Sequence, residues 1–161
     1  MSGRQILTVL AILAMLNAAC FDEPATPLQH SRLDSHLLGQ WDCSSADASS
    51  DDRALLTVLP FDGRQYYAEW KEGEKVWRYR AYPGDLRGLS ILNVVEVSES
   101  PNQSWSALRA ALPADGTMSL VVPAKRITDM MGAEARLRTF RREAHQPSAW
   151  QPFARCVPHK E

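Results

Sequence analysis

Large apolar side chains alternate with polar ones along most of this chain. Residues 54–59 are apolar and rich in β-formers and stop at Pro60. Asp62-Gly63 follows, turn chemistry that favours a hairpin. In 65–71, Tyr66, Ala68 and Trp70 alternate with Gln65, Glu69 and Lys71, although Tyr67 interrupts the polar face. After Glu72-Gly73-Glu74, a second turn, Trp77, Tyr79 and Ala81 face one way over 76–82, while Arg78 and Arg80 face the other. Successive side chains of a strand point to opposite faces, so each segment reads as a strand with one buried face. The short turn makes the two strands neighbours. Tyr66, Trp70, Trp77 and Tyr79 can therefore meet across the sheet.

The same design continues beyond Pro83-Gly84-Asp85, which reads as a break. Residues 89–97 form a long Ile, Leu and Val run, 98–104 are polar, and 104–112 carry Trp105, Ala107 and Arg109. Pro113-Ala114-Asp115-Gly116 closes that segment, 118–122 form the next strand up to Pro123, and 153–157 form the last. Strands at such short, regular spacing with explicit turns predict an antiparallel sandwich or barrel. Closure removes exposed edges, which favours the barrel. One segment departs from period two. Ala133, Leu137, Phe140 and Ala144 fall at i, i+4, i+7 and i+11, the stripe of an amphipathic helix, and Gln146-Pro147 ends it. The expected fold class is mainly β, an antiparallel meander closing into a barrel, with one C-terminal amphipathic helix before the last strand.

The N-terminus follows a different pattern. Arg4 precedes an uncharged run from Ile6 to Leu16, then small residues and Cys20. A basic start, an apolar stretch of about 7–15 residues and small residues at a cleavage site describe a secretory signal. The run is short of the roughly 20 residues that span a bilayer. Asp22, Glu23, Pro24 and Pro27 stop it abruptly.

Composition narrows the function classes. The 161 residues carry 18 basic and 19 acidic side chains, a net charge of −1, which argues against nucleic acid as a partner. The four histidines, His30, His36, His145 and His159, fall in no metal-ligand spacing, and no Gly-x-Ser-x-Gly nucleophile motif occurs. No catalytic residue, cofactor or metal site is expected, and the chain is not expected to be an enzyme. Arg136, Arg138, Arg141 and Arg142 cover the helix outside its apolar stripe. They suit either a solvated face or an anionic lipid headgroup.

Asn17-Ala18-Ala19-Cys20 resembles the lipobox of bacterial lipoproteins, with Leu16 four residues before the cysteine where that family prefers a Leu three before it. The resemblance implies a signal peptide over 1–19, with Cys20 as the lipid-bearing mature N-terminus. Several acyl chains anchor a protein stably without a membrane-spanning helix. Residues 20–35, containing Pro, Thr, Gln and His, then read as a lipidated tether, and 36–161 as the domain. Phe21, rather than Asp, follows the cysteine, which in that family implies the outer membrane, facing the periplasm.

With Cys20 assigned to lipid, Cys43 and Cys156 remain as an even pair in an exported chain, where a disulfide can form. Such a bond is expected to hold the Cα atoms about 4.4–6.8 Å apart, and a separation beyond about 7 Å would exclude it. Closing so long a loop contributes on the order of 4–5 kcal/mol in the chain-entropy model.

His36-Leu37-Leu38-Gly39-Gln40-Trp41 precedes the first of these cysteines. Its Gly39-x-Trp41 resembles the opening motif of lipocalins and related calycins. The resemblance implies that Trp41 plugs the barrel floor and that an arginine near the last strand, here Arg155, packs across it. Alternation opposes the second point. Trp41 and Cys43 share a face while Arg155 points away from Cys156, so stacking needs a bulge, or Arg141 or Arg142 instead.

Small barrels are either filled by side chains or hold one small ligand. Tyr66, Trp70, Trp77, Tyr79 and Trp105 are the candidate lining residues, and the pattern fits both a filled interior and a hollow one. The expected role is binding a small apolar ligand, or envelope maintenance, without catalysis. The alternative is a protein-binding module with an envelope protein as partner. Periplasmic lysozyme inhibitors are also small lipidated barrels, and Gln40-Trp41-Asp42-Cys43 stands where they carry Tyr-x-Cys. Their Ser-Gly-x-x-Tyr loop is absent.

Overall fold

A computed structural model describes residues 21–28 and 32–160. Eight antiparallel strands form a closed barrel in sequence order: β1 (Gly39–Ser45), β2 (Arg53–Pro60), β3 (Tyr66–Glu72), β4 (Lys75–Leu86), β5 (Leu89–Glu96), β6 (Trp105–Ala111), β7 (Met118–Pro123) and β8 (Trp150–Pro158). Two helices, α1 (Lys125–Thr128) and α2 (Ala133–Glu143), lie between β7 and β8. Each strand pairs with the next, and β8 returns to β1. The expected meander, barrel and late helix are all present.

The hairpins show why the strands lie where they do. Asp62 turns the chain between β2 and β3, its Oδ1 accepting the backbone N–H of Arg64 and Gln65 at 2.7 and 2.8 Å. Trp70 lies directly opposite Trp77, and Tyr66 opposite Ala81, as the alternation requires. The expected break at Pro83-Gly84-Asp85 is not one. β4 runs through these residues, with Pro83 opposite Leu92 and Gly84 opposite Ile91. The chain turns later, at Arg87 and Gly88, whose φ angles of 53° and 86° are those of a tight two-residue hairpin.

The seam between β1 and β8 carries the disulfide. Cys43 and Cys156 are directly opposed and bonded, with an S–S distance of 1.98 Å. Their Cα–Cα distance of 4.0 Å is shorter than the expected range because they are paired across adjacent antiparallel strands. The register between β7 and β8 shifts near Leu120 and Val121, so Phe153 and Ala154 are consecutive yet both buried in the interior cluster. A bulge of this kind re-aims a side chain at the cost of one ladder position.

Two hydrophobic clusters result. The first is the barrel interior, with Trp41, Leu56, Val58, Tyr66, Trp70 and Met118 among its members. The second lies outside the wall formed by β4, β5 and β6, where α1 and α2 cover it with Ile127, Leu137 and Phe140. The predicted helical stripe is the buried face of α2, and Ala144 immediately beyond it is buried too.

Phe21 completes this outer cluster, although the composition of 20–35 reads as a solvated tether. Its ring lies 5.4 Å from that of Phe140, and its N–H and C=O pair with Trp105 at 2.6 and 2.8 Å. Docking is favoured because Phe21, Ala25 and Thr26 find a complementary outer wall, a tertiary fact that local composition does not carry.

Candidate functional site

One end of the barrel is plugged. The segment before β1 makes a single 3-10 turn at Ser35–Leu37. Asp34 is fixed to Tyr66: its N–H donates to the phenol oxygen at 2.5 Å, and the phenol O–H donates back to its C=O at 3.2 Å. Trp41 is buried beside this plug, its indole N–H donating to the Leu37 carbonyl at 3.1 Å. Gly39 begins β1 with φ 122°, a conformation that glycine adopts without strain.

Arg155 is not part of this floor. It lies opposite Ser44 and is exposed on the outer face, so the alternation argument prevails and the bulge at Phe153 does not reach it. Neither do the other arginines serve. Arg141 bonds to the Pro24 and Ala25 carbonyls, and Arg142 pairs with Glu143.

Above the plug the interior holds a cavity of about 100 Å³, with no polar surface on its wall. Tyr66, Trp70 and Tyr79 line it together with Leu92, Leu108 and Phe153. Burial pushes the Tyr79 phenol well above its ordinary pKa, with the Glu96 and Glu72 charges acting in the same direction. Burial also raises Tyr66, partly opposed by the Asp34 hydrogen bond. Both phenols are neutral at physiological pH, so the wall carries no charge. Trp77 packs against the interior cluster but does not line this cavity.

Trp105 points the other way. It lies on the outer wall, edge-to-face with Tyr82 at 5.8 Å, and belongs to the cluster under α2. The residue pattern of β6 is symmetric enough that either face can be read as buried, which is why the sequence misplaces it.

Burial along β5 records the hollow. In β5 the outward Ile91, Asn93 and Val95 are buried, whereas the inward Leu92 and Val94 are only half-buried. In β6 the inward Ser106 and the outward Ala107 are both buried, and the inward Leu108 and Ala110 are half-buried. In β5 the usual order is reversed because the outside is covered by protein and the inside faces the cavity.

A vestibule of mixed character lies beyond the cavity at the end opposite the plug, lined by Asp47, Asp52, Arg53 and Glu72 together with Ala54 and Pro152. Trp70 and Phe153 line both spaces, their rings 5.4 Å apart. Together they form the partition. The Trp70 indole donates to Glu72 Oε1 at 2.6 Å, which holds one half of it in place.

Among the described residues no group of three or more His, Cys, Asp or Glu side chains gathers in a way that could hold a metal ion. Among them, too, no helix is long and apolar enough to cross a membrane. Cys20 and the expected signal peptide lie outside the described residues. The closed eight-stranded meander with its late helix is consistent with a lipocalin-like fold, and the disulfide agrees with an oxidising compartment. No family model matches the chain, and comparison with curated proteins and with solved structures found no match.

Proposed function

We propose that this protein is a lipid-anchored binding module of the bacterial envelope, facing the periplasm from the outer membrane. Its barrel takes up one slender apolar group, of the kind an alkyl chain presents, and holds it without chemical change. The carrying observation is the reversed burial of β5 beside an apolar cavity of about 100 Å³ that the half-buried Leu108 and Ala110 of β6 also line. Apolar cavities of roughly 150 Å³ stay dry and admit small apolar ligands. Drug-sized sites begin near about 300 Å³, so a narrow chain suits this interior and a bulky ring system does not.

The anchor rests on the charged start, the short apolar run and Asn17-Ala18-Ala19-Cys20. Replacing Cys20 with Ser is expected to release the protein from the membrane fraction, and an acyl mass on Cys20 is the direct readout. For the cavity, titration with a fluorescent fatty acid is expected to saturate at one probe per barrel. Ala110→Phe, which places a ring in the hollow, is expected to abolish uptake while the far-ultraviolet circular dichroism is kept. Wild-type protein that takes up no such probe would move the reading to the protein-binding alternative.

A further inference from the structure

The docking of residues 21–26 has a consequence for how the barrel meets the membrane, and it builds on the reading that Cys20 carries lipid. A solvated tether over 20–35 would let the domain wander about 20 Å from its anchor. The segment instead is fastened along the outer wall. Thr26 donates its N–H to Asn93 Oδ1 at 3.1 Å, and Asn93 Nδ2 donates to Thr26 Oγ1 at 2.7 Å. The Tyr82 hydroxyl donates to the Thr26 carbonyl at 2.7 Å. Arg141 binds the Ala25 and Pro24 carbonyls at 3.1 and 3.0 Å and the Glu23 carboxylate at 3.0 Å.

The fit is close as well as bonded. A Cβ on Gly84 would meet Thr26 Oγ1 at 1.8 Å, so β4 carries glycine where the strap crosses it. Asn93 is fully buried, and its side-chain amide has a partner for both its oxygen and its nitrogen in this strap. A buried amide left without partners costs about 1–3 kcal/mol, so the wall is built to receive this segment. The fastening begins at Phe21, the residue that follows Cys20 in the chain.

We propose that the strap removes the slack from the lipid anchor, so that the barrel sits directly on the bilayer in one orientation. The edge nearest the lipid is the one where Phe21 pairs with Trp105, the first residue of β6. The 97–104 loop adjoins it, and α1 contributes Ile127 to the cluster that holds Phe21. Met131, 92% exposed just after α1, gives this side an apolar side chain to set against the headgroups. The up-and-down order of the strands places the 61–65 turn at the opposite end of the barrel, away from the membrane.

Amide hydrogen exchange of the acylated, full mature protein on phosphatidylethanolamine–phosphatidylglycerol vesicles tests this. The references are the soluble Cys20→Ser protein and an acylated variant with about twelve Gly and Ser residues inserted between Cys20 and Phe21, a spacer of roughly 20 Å. The expected result is slower exchange in 97–104 and 129–132 for the acylated protein alone, with 61–65 unchanged in all three. The spacer variant is expected to stay on the vesicles and lose the protection. Equal exchange in all three, with the acyl mass confirmed on Cys20, overturns the proposal while leaving the anchor intact. A Cys20 without acyl mass overturns the anchor and this inference together.

Discussion

The two sides of the wall formed by β4, β5 and β6 use the same strands for opposite ends. Outside, Ile91, Val95 and Ala107 are buried beneath the strap and α2, and Phe140 and Ile127 complete a solid cluster. Inside, Leu92, Val94 and Leu108 are half-buried around a hollow. A filled interior normally supplies a small barrel with its core. Here part of that burial is moved to the outside, so the barrel can hold itself together while keeping space within. Stability and binding are thereby assigned to opposite faces of one sheet, on adjacent residues of the same strand.

Substitutions on the two faces should separate them, and the largest effect belongs outside. Phe140 is fully buried between Phe21 and Trp150, with ring centroids at 5.4 and 5.2 Å. Phe140→Ala is expected to cost about 3–5 kcal/mol in denaturant unfolding. A cost near that of a surface change would mean the outer cluster does not support the fold.

A sharper comparison uses adjacent residues of β5. Ile91→Ala, on the packed face, is expected to cost about 2–5 kcal/mol. Leu92→Ala, on the hollow face, is expected to cost less, about 2 kcal/mol at the low end of that range, since part of its side chain faces the cavity rather than packed neighbours. Equal losses would show that both faces are packed alike.

Gly84→Val tests the strap. The new side chain collides with Thr26, and overpacking of this kind costs about 1–3 kcal/mol. Limited proteolysis is expected to cut within 21–28 in this variant, with the barrel itself retained. Persistent protection of that segment would count against a close fit.

The smallest effect is a pH dependence at the plug. The His36 backbone N–H, then its ring, hold the Asp34 carboxyl below the usual carboxylate range. A depressed carboxylate stabilises the fold above its unfolded pKa, near 3.9, and that contribution disappears as pH falls through the lower folded value. Asp34 is exposed, so solvent screening keeps the effect small. Melting temperature followed from about pH 5 to about pH 2 should fall slightly more for wild type than for Asp34→Asn. Identical slopes would remove the contribution.

Much of this architecture is legible in local pattern. Period two identifies the Tyr66–Trp70 and Trp77–Tyr79 faces, and the i, i+4, i+7 stripe identifies the buried side of α2, because strand and helix geometry act at short range. Cysteine parity in an exported chain anticipates the Cys43–Cys156 clip. What is missed depends on contacts between distant segments. Phe21 gains its role only once Trp105 and Phe140 are assembled, and Gly84 reads as a break until the strap that crosses it is known. Trp105 is misassigned because alternation reveals two faces without saying which one is covered. The hollow is invisible for a related reason: alternation specifies direction, whereas emptiness depends on the summed volume of all inward side chains.

Xenon under pressure reports that emptiness directly, because it enters dry apolar cavities and shifts the resonances of the methyl groups around it. Methyl spectra of the folded, disulfide-bonded protein are expected to shift at Leu92, Val94 and Leu108 as xenon is added. Ile91, Val95 and Ile127, on the packed outer face, are expected to stay unmoved. Unshifted methyls at all six positions, or shifts confined to the outer three, would contradict a barrel that is packed outside and hollow within.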